Sequence, residues 1–380
     1  MKYYLSFCLF LCTLNSFAQK ESYLLLGTYT SGTSKGVYVY KFNSANGDHS
    51  LIDSAKISNP SFLAVSPDQK FVYAVSEQAS AVDKGGSVAS FSFNNITEKL
   101  TPLNQQSSNG NNPCYVTVDK AGKWLIAGNY SSGTLTVLPI LKNGSLDSFV
   151  YSIKHTGQSV NTARQASPHV HATVLSPDNK FLFVPDLGID KLMIYHFNKK
   201  NGALKENTPA LVNTKPGSGP RHFDFHPNKK FAYLVEELTG TVAAYRYHAK
   251  KGELSLIQNI STVPANFTAF AGSADIHVSP DGKFLYASNR GESNTIAIFS
   301  IDKKTGRLTS IGHQSTMGKT PRNFNFDPSG NFLLVANQNS DEIVIFKIDR
   351  NTGLLTDTGK RIAVSKPVCI KWISTKKNNF

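Results

Sequence analysis

Residues 220–237 read PRHFDFHPNKKFAYLVEE, in which a short apolar strand runs into a polar turn and then into a second strand that ends in charged residues. Five further copies of this unit begin at Pro60, Pro113, His169, Ser273 and Pro321. The copies recur at intervals of roughly 50 residues. Short alternating strands in repeats of this size predict a β-propeller with one four-stranded sheet per blade.

A seventh copy is split between the two ends of the chain. PVCIKWIS at residues 367–374 has the pattern of a first strand, and SYLLLGTYT from Ser22 has that of its partner. If the strands of a blade are ordered A to D from the channel outward, residues 22–58 supply strands B, C and D of this blade and residues 367–374 supply strand A. The sequence therefore predicts an all-β, seven-bladed propeller closed by both chain ends, which pairs two otherwise open strand edges.

Composition is consistent with one large domain after a short leader. The chain has 380 residues, of which 40% are hydrophobic and 17% charged, enough for an extensive core. Met1 and Lys2 precede an apolar run that reaches Leu14, and Ser16-Phe17-Ala18 offers the small residues that signal peptidase reads. We expect residues 1–18 to be a signal peptide and residues 19–380 to form the propeller. The mature protein would then be periplasmic or extracellular, and the apolar run is too short for stable membrane insertion.

The cysteines favour neither a disulfide nor a metal site. Two of the four lie in the expected signal peptide, and Cys114 and Cys369 fall on A strands of blades that are not neighbours. A disulfide between them is geometrically improbable, so we expect two buried thiols. Spacings such as CxxC or HExxH are absent, and no metal or other cofactor is predicted.

The net charge of +14 raises the question of a nucleic-acid partner. Many lysines lie in turns between the third and fourth strands, as in NKKNG at Asn198, AKKGE at Ala249 and DKKTG at Asp302. These turns are spread around one rim of the ring and lack the interleaved aromatic residues of a single-strand binding surface. We therefore expect a small molecule, and no nucleic acid, as the partner; the oligomeric state stays open.

The opposite rim collects unusual polar residues, because B strands end there and A strands begin there. The A-strand starts carry His169, His171, Arg221, His222, Asp275 and Arg322, and the B-strand ends carry Asn129, Asp186, Glu237, Arg290 and Asn337. Buried charge is costly unless paired, so such a cluster is either an ion-pair network or a functional site. A single His in an A strand is more often a core residue, and His226 and His277, deeper in their strands, are assigned to that class.

At these residues the sequence resembles the propeller-type 6-phosphogluconolactonases and the related 3-carboxy-cis,cis-muconate lactonizing enzymes, both seven-bladed. The similarity extends over essentially the whole mature chain. It is carried by GPRHFDFHP at Gly219, VEEL at Val235, PANFTAF at Pro264 with ADIHVSPDGKFLYASNR after it, and PRNFNFDPSG at Pro321. The combination of GPRH, a Glu sixteen residues after its Arg, and ADIH followed by an Arg after strand B is quite specific.

The resemblance implies roles for individual residues. The lactonizing enzymes use a His, two Arg and a Glu at the channel mouth, and the resemblance implies that His171, Arg221, Glu237 and Arg290 are the corresponding residues here. The remaining rim residues are expected to bind substrate, together with Asn266 of the PANF segment: His169, Asn129, Asp186, His222, Asp275, Arg322 and Asn337.

These residue types suit metal-free lactone chemistry. Opening a lactone needs a base to activate water and positive donors for the developing oxyanion. Either His171 or Glu237 could be the base, with Arg221 and Arg290 holding the oxyanion or an anionic group of the substrate. We expect an exported, metal-independent lactonase acting on a sugar-acid-type or other anionic lactone. Two alternatives stay open: a non-catalytic propeller that binds a ligand or partner, and a muconate-type cycloisomerase that runs the reaction in reverse.

Overall fold

The computed structural model describes residues 21–78 and 85–375; the expected signal peptide lies outside this part of the chain. Seven four-stranded antiparallel sheets form the blades, which confirms the predicted seven-bladed propeller. The closing blade has the order β28-β1-β2-β3 and consists of β1 (Glu21–Thr28), β2 (Gly36–Asn43), β3 (His49–Lys56) and β28 (Pro367–Ser374). Its innermost strand therefore comes from the C-terminal end of the chain, as the split repeat predicted.

The other six blades follow one another along the chain. Blade 1 contains β4 (Leu63–Val65), β5 (Phe71–Ser76), β6 (Ser87–Asn94) and β7 (Lys99–Ser107). Blade 2 contains β8 (Pro113–Val118), β9 (Trp124–Asn129), β10 (Thr134–Pro139) and β11 (Tyr151–Lys154). Blade 3 contains β12 (Val174–Leu175), β13 (Phe181–Asp186), β14 (Lys191–Phe197) and β15 (Leu204–Asn213).

Blades 4 to 6 complete the ring. Blade 4 contains β16 (Pro220–Phe225), β17 (Phe231–Glu236), β18 (Thr241–His248) and β19 (Glu253–Ser261). Blade 5 contains β20 (Ser273–Val278), β21 (Phe284–Asn289), β22 (Thr295–Ile301) and β23 (Leu308–Ser315). Blade 6 contains β24 (Pro321–Phe326), β25 (Phe332–Asn337), β26 (Glu342–Ile348) and β27 (Leu355–Ala363), with a short 3-10 turn at Gln338–Ser340. Among the described residues no helix is long and apolar enough to cross a membrane.

The core lies between the blades, where the apolar faces of neighbouring sheets meet. Phe183 of blade 3 stacks on Phe223 of blade 4 with ring centroids 5.4 Å apart. Across the ring closure, Phe42 of the closing blade contacts Phe332 of blade 6 edge to face, with ring centroids 5.9 Å apart. Apolar contacts of this kind run through successive blade interfaces and fix the radius of the ring.

The lysine-rich turns pack on the preceding blade through a glycine. In the DKKTG turn, Gly306 has a φ of +77°, and a Cβ there would lie 2.4 Å from the ring of Phe231 in blade 4. The hydroxyl of Tyr233 donates to the carbonyl of Gly306 at 3.1 Å. Only glycine combines this backbone conformation with so close an approach. The contact also places the turn between strands C and D on the same face as the turn between strands A and B.

Blade 3 departs from the expected pattern at its inner strand. HVHATVL was expected to form an A strand, but only Val174 and Leu175 do so, and Val170 makes a single bridge to Asp186. Oδ1 of Asp186 accepts the backbone N–H of His169 at 2.7 Å. The carboxylate of Asp186 thus accepts the His169 N–H group, which in a regular A strand would bond to a backbone carbonyl of the neighbouring strand.

Candidate active site at the channel mouth

Bulges in three inner strands direct side chains into the channel mouth. The pairing register shifts between Pro113 and Tyr115 in β8, between Pro220 and His222 in β16, and between Pro321 and Asn323 in β24. Bulges of this kind re-aim a side chain and are common beside functional sites. The residues at the three shifts are Cys114, Arg221 and Arg322.

The second contribution comes from the residues that directly follow five of the seven B strands. These residues are Tyr29, Glu77, Tyr130, Glu237 and Arg290, which follow β1, β5, β9, β17 and β21. The residue before each of them is the last of its strand and is buried. Because side chains alternate along a strand, the two neighbours point in different directions.

All of these side chains except Arg221 and Tyr29 line a cavity of about 230 Å³ at the mouth of the channel. Its walls are formed by Glu77, Asn112, Cys114, Tyr130, Ser131, Arg164, His171, Glu237, Arg290 and Arg322. Four of the twelve residues predicted for the site therefore lie on the cavity wall, namely His171, Glu237, Arg290 and Arg322.

Glu237 is clamped by three arginines. Its Oε1 lies 2.6 Å from Nη2 of Arg164, and its Oε2 lies 2.9 Å from both Nε of Arg221 and Nη2 of Arg290. The contact between Nε of Arg221 and Glu237 is an ion pair, but its geometry is not that of a hydrogen bond. Burial would raise the pKa of Glu237, but Arg290, Arg221 and Arg164 outweigh it and lower this pKa to about 2. A carboxylate with so low a pKa is a poor general base.

Arg221 lies behind Glu237 rather than on the cavity wall. Its side chain is 1% exposed, and Nη1 donates to the backbone carbonyl of Ala274. Burial, followed by the neighbouring Arg290 and Arg322, lowers the pKa of Arg221 to about 9. The guanidinium is still charged at neutral pH, and its position makes it a support for Glu237.

His171 is a buried histidine with one side on the cavity. Its Nδ1 lies 4.0 Å from Sγ of Cys114. Burial holds the pKa of the His171 imidazole well below its usual range, and the positive charges of Arg221 and Arg322 add to this effect. The imidazole is therefore uncharged at pH 7.

On the wall formed by blade 1, blade 6 and the closing blade between them, the carboxyl and guanidinium groups of the described residues do not form close ion pairs. Oε1 of Glu77 accepts a hydrogen bond from the hydroxyl of Tyr29 at 3.2 Å and another from Ser61. The guanidinium carbon of Arg322 lies 5.5 Å from the centroid of the Tyr29 ring. Within residues 21–78 and 85–375, Arg322 has no hydrogen bond and no ion pair closer than 4.0 Å. It thus presents an unpaired cationic fork to the cavity.

Two predicted substrate-binding residues belong instead to a buried network that does not line the cavity. Nδ1 of His222 lies 2.7 Å from Oδ1 of Asp275, and Nε2 of His277 lies 3.1 Å from Oδ2 of the same carboxylate. Asn323 also donates to Asp275. Burial and Arg221 lower the pKa of His222 to about 4. These contacts join blades 4, 5 and 6 and give His222 and Asp275 a structural role.

Three further predicted residues hold loops in place. Nδ2 of Asn129 donates to the carbonyl of Ser108 at 3.0 Å, and Nδ2 of Asn337 donates to that of Thr316 at 2.9 Å. Asp186 accepts from His169, as described above, and its Oδ2 lies 2.7 Å from Nδ1 of His155. All three residues end a B strand and are fully buried, so they tie the strand to a connecting loop.

The last two predicted residues lie at the edge of the site or beyond it. The ring of His169 stacks on Tyr130 with centroids 4.3 Å apart, and its Nδ1 lies 3.0 Å from the Tyr130 carbonyl. Asn266 is exposed in the loop between β19 and β20 and does not line the cavity. The structure therefore offers no contact by which Asn266 would reach a molecule in the cavity.

Two important cavity residues were missed in the sequence. Glu77 occupies the same repeat position as Glu237 and Arg290, so aligning the copies would have found it. Arg164 lies in residues 155–173, a long loop between β11 and β12 without a counterpart in the other copies. No repeat signal could have indicated it.

Neither a metal site nor a disulfide is seen in the described part of the chain. Among these residues no group of three or more His, Cys, Asp and Glu side chains is arranged to hold a metal ion. Cys114 and Cys369 are both buried free thiols, as predicted.

The sequence comparisons agree with this architecture. Residues 23–372 match the family model described as Lactonase, 7-bladed beta-propeller. The chain belongs to this lactonase family. It is 36% identical over 351 residues to the 6-phosphogluconolactonase of Bacillus subtilis, which covers 92% of this chain and 97% of the relative. It is 38% identical over 324 residues to the 6-phosphogluconolactonase of Formosa agariphila, which covers 84% of this chain and 90% of the relative.

A solved structure shows the same ring. The periplasmic gluconolactonase of Pseudomonas aeruginosa superposes with a TM-score of 0.88 at 36% sequence identity. The superposition covers 94% of this chain and all of the other. The expected similarity to propeller-type 6-phosphogluconolactonases, which are lactone hydrolases, is thus confirmed.

Proposed function

We propose that this family member hydrolyses a sugar-acid-type or other anionic lactone, without a metal, after export from the cytoplasm. The observation that carries the proposal is one cavity in which the neutral imidazole of His171 faces the guanidinium groups of Arg290, Arg164 and Arg322. A neutral base and several cations are what ester opening at neutral pH needs. The names of the relatives, 6-phosphogluconolactonase and gluconolactonase, point to the same substrate class.

In this mechanism His171 is the general base. It takes a proton from a water molecule, whose oxygen attacks the lactone carbonyl carbon. Glu237 is unsuited to this step, because both of its carboxylate oxygens are paired with arginines and have no room for a water molecule between them and their partners. Its role is to fix Arg290 and Arg164 at the cavity wall.

The arginines stabilise negative charge. Arg290, whose side chain is 17% exposed, donates to the carbonyl oxygen as it becomes an oxyanion. The guanidinium group of Arg322, which has no close ion pair among the described residues, binds a carboxylate or phosphate group of the substrate. Arg221 supports Arg290 by holding Glu237, with which both arginines pair.

The test is a panel of lactones assayed with purified residues 19–380. It contains phosphorylated and unphosphorylated aldonolactones, a neutral γ-lactone and, for the reverse reaction, 3-carboxymuconate. We expect opening of an anionic lactone at a rate that a chelator does not change, and a loss of about a hundredfold or more in His171→Asn. Binding without turnover would favour a ligand-binding propeller, and ring closure of the muconate would favour a cycloisomerase; either result would overturn the proposal.

Export is tested separately by cell fractionation. The proposal rests on the pattern of residues 1–18 and on the periplasmic relative. We expect a protein in the periplasm or medium whose N-terminus is Gln19. An intact N-terminal Met on a cytoplasmic protein would refute export and leave the lactonase proposal standing.

A further inference from the structure

We propose that Glu77 is a further catalytic residue, which gives a proton to the ring oxygen of the lactone as the ring opens. This inference rests on the proposed hydrolysis and assigns a residue to its second proton transfer. Hydrolysis needs such a donor because an alkoxide is a poor leaving group until it is protonated.

The position of Glu77 fits a group that acts on the far side of the substrate. Glu77 follows strand β5 of blade 1, and Glu237 follows strand β17 of blade 4, at the same point of the repeat. Three steps around a ring of seven place these blades across the channel from each other. Both side chains line the one cavity, so a lactone held by the arginines around Glu237 has Glu77 opposite to it.

The two carboxyl groups differ in their partners. Glu237 has three ion pairs, whereas Glu77 has no ion pair closer than 4.0 Å among the described residues. Both hydrogen bonds that the carboxyl group of Glu77 accepts from described residues, from Tyr29 and Ser61, fall on Oε1. Oε2 is the oxygen left to carry a proton and present it to the cavity.

The electrostatic surroundings support this assignment. Burial raises the pKa of Glu77, although Arg322, Ser61, Tyr29 and Arg221 act in the opposite direction. Cys114, on the next blade, is itself a neutral thiol because burial raises its pKa to about 12. Meanwhile the pKa of His171 is held low. Two titratable groups in one site whose pKa values are displaced in opposite directions are suited to act as a base and an acid.

The reaction balances with these two residues and water alone. His171 takes one proton of the water molecule while the water oxygen forms a bond to the carbonyl carbon. The bond from that carbon to the ring oxygen then breaks, and the ring oxygen takes the proton of Glu77 and becomes a hydroxyl group. The product is the hydroxy acid, which loses its acid proton to solvent. Transfer of the proton from His171 to Glu77 restores the starting state.

The experiment compares Glu77→Gln with the wild type on the lactone that the wild type opens, with uncatalysed opening subtracted. The amide keeps an oxygen that Tyr29 and Ser61 can bond but cannot act as an acid. We expect kcat to fall about a hundredfold or more. In the wild type, kcat/KM should fall as the pH rises through the pKa of Glu77, since the protonated form is needed. The variant should lack this alkaline limb and keep the acidic limb set by His171.

Glu236→Gln is the matched control. Glu236 is likewise a buried carboxyl group with a pKa raised by burial, but it accepts from Thr241 and does not line the cavity. We expect this variant to keep kcat within a fewfold of the wild type and to keep the alkaline limb. If Glu77→Gln does not fold, Glu77→Asp replaces it, with a lower kcat and an alkaline limb that is retained.

The possible failures are distinguishable. Unchanged kcat per folded molecule in Glu77→Gln, or a lower kcat with the alkaline limb intact, would overturn the role of Glu77 and leave the lactonase proposal in place. A wild-type protein that opens no lactone would overturn both.

Discussion

Replacement of Glu237 by Gln should destabilise the protein strongly, because it leaves the clamp of three arginines without its anion. Arg221 is the critical member, since it is 1% exposed and cannot reach water. Among the described residues, the Arg221 side chain donates one hydrogen bond, to the backbone carbonyl of Ala274. A Gln side chain preserves the shape of Glu237 but supplies no charge. Removing one partner of a buried ion pair typically costs about 3–5 kcal/mol.

The lowered pKa of Glu237 also indicates how much its ionised form stabilises the folded protein. It falls from the ordinary value of 4.5 to about 2 in the folded protein. At about 1.4 kcal/mol per unit, ionisation of Glu237 contributes about 3 kcal/mol to the free energy of unfolding. Because the folded-state pKa is the lower one, this contribution is complete above pH 4.5 and is lost as the pH falls towards 2.

The assay is thermal unfolding of the wild type and Glu237→Gln between pH 7 and pH 3. At about 2 °C per kcal/mol, we expect Tm to be roughly 6 to 10 °C lower in the variant at pH 7. The difference should shrink at the acid end of the range. Glu98→Gln is the control, because Glu98 pairs with Lys41 at 2.7 Å on the surface and an exposed pair contributes at most about 1 kcal/mol. A variant that melts with the wild type at pH 7, or a difference independent of pH, would refute the clamp.

Four further predictions concern catalysis, substrate binding and ring closure. His171→Asn should lower kcat about a hundredfold or more while its Tm, measured by circular dichroism, stays near that of the wild type. Arg322→Gln should raise KM for an anionic lactone by about tenfold or more and leave KM for a neutral lactone unchanged in steady-state assays. Deleting residues 367–380 removes the partner of β1, so the truncated chain should show no cooperative melting transition. Raising the ionic strength from 0.05 to about 0.5 M should lower kcat/KM for an anionic lactone more than for a neutral one; equal effects would contradict attraction by the cavity.

The fold could be predicted because each blade repeats the same local pattern. An A strand, a Pro-containing turn and a B strand are each encoded by adjacent residues, and the split copy encodes the closure. What could not be predicted is the inner strand of blade 3. There the carboxylate of Asp186 takes the N–H of His169, and such a contact depends on tertiary structure rather than on strand propensity.

The polar residues expected at the ends of B strands fall into two groups in the structure. Glu237 and Arg290 stand just after their strands and reach the cavity, whereas Asn129 and Asn337 are the last residues of theirs and turn into the loops. A strand end offers two neighbouring polar residues, and only the pairing register decides which one enters the channel. The bulges that aim Arg221 and Arg322 likewise have no marker in the sequence beyond the preceding proline.

The balance of charge around the cavity explains why two glutamates in equivalent repeat positions behave differently. The described side chains bring together Arg164, Arg221, Arg290 and Arg322 against Glu77 and Glu237. Three of the four arginines are committed to one carboxylate, which stays ionised and inert as a base. That leaves Arg322 and Glu77 on the remaining wall, without an ion pair closer than 4.0 Å among the described residues, although the charge of Arg322 lowers the pKa of Glu77. In the proposed mechanism an anionic group of the substrate binds Arg322, which offsets the charge that lowers the pKa of Glu77 and so favours the protonated form that gives up its proton.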